Sequence, residues 1–338
     1  MLVYRLRFKS ALHVDSRGSG EPDSVEEFIR SDTLSAALCM AWNTLYPDGA
    51  DELFGAPPFQ VSSAFPFIHH CFLLPAPRWP FWRNPPESHE KTQKKVQWID
   101  SILLHQVING EPPDWQAVKL LHSGAIAVGR ASGRVEEQWD GLTPWLVSER
   151  QRVAIDRLGV RQEGNLFFFG LQCFNAGCGL YFFAEMAPEK TAAFEAVLAL
   201  LGDTGIGADR NSGLGHFEFQ RADDFPWPHL TSARGTGWLL LSLFNPAPED
   251  DLERMLATSA YGLTTRSGWI SGATLGKPPV KAFTEGSYFS ARPGGRVVTL
   301  FDASQRRRLG IDHSPVRDLR ALTIPCAQPS IFSAGRID

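Results

Sequence analysis

The chain opens on an alternation of apolar and polar side chains. The apolar positions are Leu2, Tyr4, Leu6 and Phe8, and the positions between them carry Val3, Arg5, Arg7 and Lys9. A period of two residues places the first set on one face of an extended strand. The first segment is therefore predicted to be a β-strand with one face against a core.

A helical period appears at two later places. Within residues 29–49 the apolar stripe consists of Leu34, Leu38, Ala41 and Leu45. Ser31 or Asp32 is expected to cap this helix, because short polar side chains accept its first free backbone N–H groups. Within residues 188–205 the stripe consists of Phe194, Val197, Leu198 and Leu201. Both patterns predict helices with one buried face.

The elements follow one another as strand, helix, strands, insertion, strand, helix, strand. The short strand patterns lie within 59–82, 165–174 and 216–220, and residues 84–150 have the mixed polar and basic composition of a partly mobile insertion. This order is that of a ferredoxin-like βαββαβ unit, whose helices cover one face of an antiparallel sheet.

A similar order of patterns begins again near residue 236, with a strand pattern over 237–246 and a helical pattern over 248–260. The predicted class is α+β, with two ferredoxin-like (RRM-like) domains, antiparallel sheets and an inserted hairpin region. The predicted boundaries are 1–222 for the first domain with its insertion at about 84–150, 223–235 for a linker, and 236–338 for the second domain.

Composition narrows the function classes. Of the 338 residues 43% are hydrophobic and 21% are charged, which is typical of a globular protein with a packed core. The net charge of −4 requires any nucleic-acid site to be local. The five scattered cysteines favour reduced thiols in a cytoplasmic protein over disulfides or a zinc site. An apolar run of about 18 residues, which would predict a membrane span, does not occur.

Residues 205–215, GIGADRNSGLG, contain two Gly-x-Gly pairs. The glycines are Gly205, Gly207, Gly213 and Gly215. A dinucleotide fingerprint needs a third glycine where Arg210 stands, and it needs a helix after the loop. A Walker loop needs Gly-Lys-Ser/Thr. No nucleotide cofactor is therefore expected.

Two interpretations of this loop remain. It is either a tight helix-to-strand connection or a seat for an RNA backbone. In the second case consecutive backbone N–H groups and the side chains of Arg210, Asn211 and Ser212 would bind phosphates. Asp209 fits that interpretation only if it tethers the loop to the protein.

Six further residues outside this loop are candidates for RNA contacts. They are His13, Arg17, Arg30, Ser31, Arg266 and Trp269. Ser31 would bind a phosphate or cap the helix. Trp269 would stack on a base or lie in the core. The sequence fixes no second acid or base near His13, so it assembles no catalytic pair.

The glycine pattern after the second predicted helix resembles the glycine-rich loop of the RAMP superfamily of CRISPR-associated RNA-binding proteins. Other stretches resemble, in the same order along the chain, the fourth-subunit family of the type III-A (Csm) interference complex. They are IRSDTLSAAL (29–38), SSAFPFI (62–68), LLPAPRWP (73–80), VAIDRLG (153–159), RSGWISG (266–272), TEGSYF (284–289) and HSPVRDLRALTIP (313–325). The resemblance covers most of the chain outside 84–150.

The resemblance implies a non-catalytic subunit that grips the 5′ handle of the CRISPR RNA in the cleft between its domains, as single-stranded RNA is usually held. It implies three neighbours: a large palm-domain subunit, a backbone RAMP subunit and target RNA. It also implies a thumb-like β-hairpin from the insertion, and it turns Arg157 toward the RNA or the backbone subunit. It implies no metal, no cofactor and no membrane partner.

Two alternatives stay open at this point. A RAMP endoribonuclease that processes precursor CRISPR RNA would use His13 as a general acid or base. The equivalent subunit of a type III-B complex would share the RNA-binding chemistry and differ in its partners.

Overall fold

The computed structural model describes residues 1–15, 22–85, 90–129, 142–154, 165–231, 235–270, 275–311 and 314–332. The helices within them are α1 (Ser31–Leu45), α2 (Ala50–Gly55), α3 (Glu90–Gln93), α4 (Ser101–Ile108), α5 (Thr191–Thr204), α6 (Pro228–Thr231), α7 (Leu252–Ala257) and α8 (Ala303–Leu309). The strands are β1 (Leu2–Phe8), β2 (Phe59–Val61), β3 (Phe65–Ile68), β4 (Cys71–Pro75), β5 (Trp98–Asp100), β6 (Val118–Leu121), β7 (Ile126–Gly129), β8 (Trp145–Ala154), β9 (Asn165–Phe174), β10 (Cys178–Met186), β11 (Phe217–Arg221), β12 (Gly237–Leu240), β13 (Ser259–Ala260), β14 (Leu263–Arg266), β15 (Val280–Phe283), β16 (Tyr288–Phe289), β17 (Gly295–Thr299), β18 (Val316–Arg320) and β19 (Thr323–Cys326).

The first part of the described chain is built on a large sheet of nine strands. Their order is β11-β1-β10-β3-β4-β5-β7-β6, and β2 pairs with β10. β1 lies antiparallel between β10 and β11, with Leu6 opposite Leu180 on one side and Phe219 on the other. The helices α1 and α5 pack with these strands in one apolar core. The predicted first strand and both predicted helices are confirmed.

The helical stripes are buried as predicted, except at one end. Leu34 and Leu38 of α1 and Phe194 of α5 are fully buried, whereas Leu45 at the end of α1 is 40% exposed. The predicted cap is wrong. Arg30 occupies the N-cap position without a side-chain hydrogen bond, and the Ser31 N–H donates to the hydroxyl of Ser63 at 2.8 Å.

The other face of the large sheet is also covered. Arg5 points to that face, is only 6% exposed, and forms two hydrogen bonds of 2.7 Å with Asp224. Phe225 and Leu230 follow Asp224 and are buried in a core that includes residues of both sheets. The segment predicted as a linker at 223–235 therefore packs against the sheet over the part of it that the structure describes.

The predicted insertion is largely an extension of the sheet. Residues 90–129 supply β5, β7 and β6, with α4 packed beside them, and Ile99, Leu104 and Ile126 are fully buried. The expectation of a partly mobile segment is wrong for these residues, because tertiary contacts bury their short apolar runs. Polar residues interrupt these runs in the sequence, so the pattern did not indicate a buried segment. A long hairpin does follow, formed by β8 and β9. Its tip at 155–164 and residues 130–141 lie outside the described residues.

The second part of the chain contains a smaller sheet in the order β13-β16-β12-β19. α7 connects β12 with β13, and its Met255 packs on Leu240, Phe244 and Phe289. Two further antiparallel pairs, β14 with β15 and β17 with β18, come between strands of this sheet along the chain. The α+β class is thus observed in both parts, and the strands pair antiparallel except for β5 with β7 in the large sheet.

We predict that Phe194→Ala lowers the free energy of unfolding by about 3–5 kcal/mol, the usual cost of emptying a buried aromatic site. Phe194 is fully buried and its ring contacts those of Tyr4, Phe59 and Phe182. Phe168→Ala on the hairpin is the matched control, because its ring is 45% exposed. Urea unfolding followed by circular dichroism measures both; equal losses would contradict this placement of the core.

Candidate functional site

A cleft of about 560 Å³ opens between helices of the first part of the chain and segments of the second part. Its walls are α1, the end of α5 with the loop at 205–215, residues 266–270 with Lys277, and the beginning of β18. The charged residues that line it are Asp15, Asp32, Arg210, Arg266, Lys277, Arg317 and Asp318. Several residues that are far apart in the sequence and were predicted to form a site meet here.

The glycines of the loop serve mainly to bring backbone segments together. A Cβ on Gly205, Gly207 or Gly215 would lie 2.5, 2.2 or 1.9 Å from a backbone carbonyl oxygen. Their φ angles are 80° at Gly205, 91° at Gly207 and 73° at Gly215. Residues that carry a side chain disfavour this positive range. Glycine is therefore required by packing at these positions.

The backbone N–H groups of this loop are used inside the protein. The Ile206 N–H donates to Gly215 O at 3.0 Å, the Ala208 N–H to His13 O at 2.9 Å, and the Gly215 N–H to Ala11 O at 2.9 Å. The expected nest of consecutive free N–H groups is therefore wrong for these positions, because the loop pairs with the segment after β1.

One turn of the loop remains open to solvent. Arg210, Asn211 and Ser212 form a single 3₁₀ turn, and they and Gly213 are exposed. A Cβ on Gly213 would meet nothing within 4 Å. Arg210 lines the cleft, and within the described residues its guanidinium has no hydrogen bond or ion pair. The side chains of this turn are therefore accessible to a ligand.

Asp209 tethers the loop, as the second interpretation required. Its carboxylate pairs with Arg152 on β8. The Arg152 guanidinium lies 4.2 Å from the centre of the Phe169 ring on β9, and that ring stacks on His13 at 4.3 Å. His13 is only 3% exposed, and its Nδ1 lies 2.7 Å from Gly170 O. The loop is thereby joined to the base of the hairpin.

Three predicted RNA contacts lie inside the protein instead. Arg30 hydrogen-bonds to Glu26 at 2.6 Å and to Glu285 at 2.8 Å. The Ser31 hydroxyl accepts from the Leu243 N–H at 2.9 Å. Arg266 is 4% exposed and faces Asp32. Their polar groups are occupied by partners from the other part of the chain, so the expectation that they face RNA is revised.

Asp32 on α1 is the centre of this buried network. Arg266 donates to its carboxylate from Nε at 3.1 Å and from Nη2 at 3.2 Å, and Arg317 pairs with it from β18. Burial by itself would raise the pKa of Asp32, but the charges of Arg266 and Arg317 outweigh burial and hold that pKa well below its usual range. Asp32 therefore stays ionised and joins α1 to β14 and β18.

The remaining candidates differ in their surroundings. Trp269 lines the cleft and is 54% exposed, which agrees with a stacking surface and not with a core position. Arg17 and Arg157 lie outside the described residues. Lys277 and Arg317 line the cleft as well. Lys277 was not among the predicted site residues, because a single lysine within Gly-Lys-Pro-Pro gives too weak a signal in the sequence.

The described residues support neither a metal site nor a membrane span. These residues contain no group of three or more His, Cys, Asp or Glu side chains arranged to hold a metal ion. They also contain no helix that combines the length and the apolar composition needed to span a bilayer.

The sequence of this chain is similar to sequences of known proteins. Residues 233–319 match the family described as the CRISPR Csm4 C-terminal domain. The CRISPR system Cms protein Csm4 of Methanocaldococcus jannaschii is 23% identical over 255 residues, and the match covers 67% of each chain.

Solved structures share the fold over almost the whole chain. A chain of the Csm3-Csm4 subcomplex in the type III-A CRISPR-Cas interference complex matches with a TM-score of 0.66 at 19% identity, covering 96% of this chain and 99% of that one. A chain of the Csm1-Csm4 cassette in complex with cA4 matches with a TM-score of 0.57 at 18% identity, covering 97% and 98%.

We predict that Gly207→Ala destabilises the protein more than Gly213→Ala. Both glycines have a positive φ, at which an alanine costs about 1–2 kcal/mol. Only at Gly207 would the added Cβ also lie 2.2 Å from His13 O, which adds about 1–3 kcal/mol of overpacking. Urea midpoints of the two variants test this, and an equal loss would mean that the loop does not pack on the segment after β1.

The stability of the protein is also expected to depend on pH through Glu26. Burial raises the pKa of Glu26 to about 7, although the charges of Arg30 and Arg266 act in the opposite direction. In the unfolded chain this pKa is about 4.3. The stability contribution of Glu26 is therefore complete below pH 4 and is lost as the pH rises through 7.

Glu26→Gln should remove this dependence, so the variant gains about 1–3 kcal/mol of stability relative to the wild type between pH 5 and pH 8. Urea unfolding at several pH values measures the difference. Glu90→Gln is the control, since Glu90 is exposed on α3. Parallel pH profiles for wild type and Glu26→Gln would contradict the raised pKa.

Proposed function

We propose that the chain, which is similar to Csm4 proteins, is a structural subunit of the RAMP superfamily in a type III-A CRISPR effector complex. In this role it grips the 5′ handle of the CRISPR RNA without cutting it. One of the solved structures named above comes from a type III-A interference complex, and the cleft is the feature suited to a short single-stranded RNA.

The strand orders support a pair of ferredoxin-like domains. In the large sheet the run β11-β1-β10-β3 places the last strand of the unit beside the first, with α1 and α5 as the two connecting helices. In the small sheet β19-β12-β16-β13 repeats this order, with α7 and α8 in the corresponding connections. Two such units side by side leave a groove between them.

The observation that carries the RNA proposal is the combination of groups at the cleft. Arg210 lines the cleft, is exposed and is unpaired within the described residues, and Trp269 lines the cleft and is half exposed. Guanidinium groups bind phosphates and indole rings stack on splayed bases.

The partners proposed are the large palm-domain subunit and a backbone RAMP subunit. The solved relatives come from Csm1-Csm4 and Csm3-Csm4 assemblies. The hairpin of β8 and β9 supports an assembly role, because it exposes apolar side chains that a lone protein gains nothing by exposing. They are Leu146, Val147, Val153, Leu166 and Phe168. Target RNA would pass near this hairpin.

The surroundings of His13 support a non-catalytic role. A general acid or base has to reach the proton that it transfers. The His13 ring is buried, stacked on Phe169 and hydrogen-bonded to Gly170 O. Its position favours a structural histidine over the nuclease alternative.

We predict that Arg210→Ala weakens binding of a single-stranded RNA that carries the repeat-derived handle by about tenfold, the usual loss for one arginine–phosphate contact in a cleft. Fluorescence anisotropy with labelled RNA and the purified wild-type chain measures the affinity. Arg7→Ala is the matched control, because Arg7 is exposed on β1 outside the cleft.

The same assay decides between the candidate functions. The expected result is intact RNA after incubation, with binding about tenfold weaker in Arg210→Ala and unchanged in Arg7→Ala. Metal-independent cleavage that His13→Ala abolishes would overturn the structural role in favour of an endoribonuclease. Equal affinities of Arg210→Ala and Arg7→Ala would remove the exposed turn from the RNA site.

A further inference from the structure

Lys277 is a cation inside the cleft that the protein itself does not neutralise. Its backbone N–H donates to Gly268 O at 2.7 Å, in a short antiparallel pairing where Trp269 lies opposite Gly276. The side chain is half-buried and lines the cleft. Among the described residues, none forms a hydrogen bond or an ion pair with its ammonium group.

The charges around Lys277 leave its positive charge without a balancing carboxylate among the described residues. Asp32 is the nearby carboxylate, and it is already shared by Arg266 and Arg317. Glu26 pairs with both Arg30 and Arg266, and Glu285 pairs with Arg30. Within the described residues these carboxylates pair with arginines and none of them pairs with Lys277, so a bound anion would neutralise its ammonium group.

The titration of Lys277 agrees with this geometry. Burial and the positive charge of Arg317 lower its pKa, and Arg266 adds to the effect while Asp32 opposes it. The unliganded protein therefore holds this ammonium group against desolvation and repulsion. An anion beside it would relieve both costs.

The rest of the cleft indicates what kind of anion fits. Apolar side chains of α1 and of the helix before the loop, among them Met40, Ala37 and Leu201, form one wall, and Trp269 lies on another. The volume of about 560 Å³ is far larger than an inorganic ion needs. A phosphate joined to a flat apolar group, as in a nucleotide unit of RNA, uses both the charge and the walls.

We propose that Lys277 binds a phosphate of the RNA inside the cleft, with the attached base against the apolar wall and Trp269. This inference rests on the proposed function and adds an anchor to it. Arg210 holds the RNA at the rim of the cleft, and Lys277 holds it in the interior.

Lys277→Met gives the proposal two separate readouts. Removal of the unpaired cation should raise the melting temperature of the RNA-free protein by about 2–4 °C. The same variant should bind handle RNA about tenfold more weakly, and the slope of log affinity against log salt should fall by about one phosphate contact. Lys277→Arg should stay within about threefold of wild type.

Lys281→Met is the matched control. Lys281 is exposed on β15, in the same part of the chain, and does not line the cleft. It should leave the melting temperature and the RNA affinity unchanged. A lower melting temperature for Lys277→Met, or an unchanged affinity and salt slope in a wild type that binds RNA, would overturn the role of Lys277 and leave the proposed function standing.

A thermal-shift titration with inorganic pyrophosphate separates the two failures. If wild type binds no handle RNA but pyrophosphate stabilises it and not Lys277→Met, the anion site stands, while the RNA ligand and the proposed function fail. If neither RNA nor pyrophosphate has an effect that depends on Lys277, the site and the function are both overturned.

Discussion

A single carboxylate, Asp32 at the start of α1, binds two guanidinium groups from the distant part of the chain. Arg266 ends β14 and Arg317 lies on β18, and both reach Asp32 in the interior of the protein. Removal of one partner from such a buried group leaves an uncompensated charge, which is strongly destabilising. The position of β14 and β18 relative to α1, and with it the width of the cleft, depends on this contact.

Neighbouring polar contacts extend the same junction. The Ser35 hydroxyl donates to Asp318 at 3.0 Å, and the Ser63 N–H donates to Leu241 O at 3.0 Å. The start of α1 therefore makes contacts across the interface where the sequence suggested an isolated cap or a phosphate site. A rigid junction suits the proposed RNA-binding role, because a preorganised site loses less freedom on binding.

The basic residues of the cleft divide into two groups with different consequences. Arg30, Arg266 and Arg317 are neutralised by internal carboxylates and hold the walls in place. Arg210 and Lys277 find no such partner among the described residues and remain available to an anion. Residue type does not separate the groups. The separation follows from which carboxylates the fold brings within reach.

The sequence by itself determined the local elements, because short-range periodicity decides them. The alternation at Leu2–Phe8 gave β1, and the stripe through Phe194 and Leu201 gave α5. It also located the loop at 205–215 and the family resemblance. The tertiary structure decided the purpose of the glycines. Gly207 is there because the His13 carbonyl lies where a Cβ would be. It also decided which arginines are buried and that Lys277 lies in the cleft. Those facts depend on contacts between residues that are distant in the sequence, such as Gly207 with His13 and Asp32 with Arg266, which no local pattern encodes.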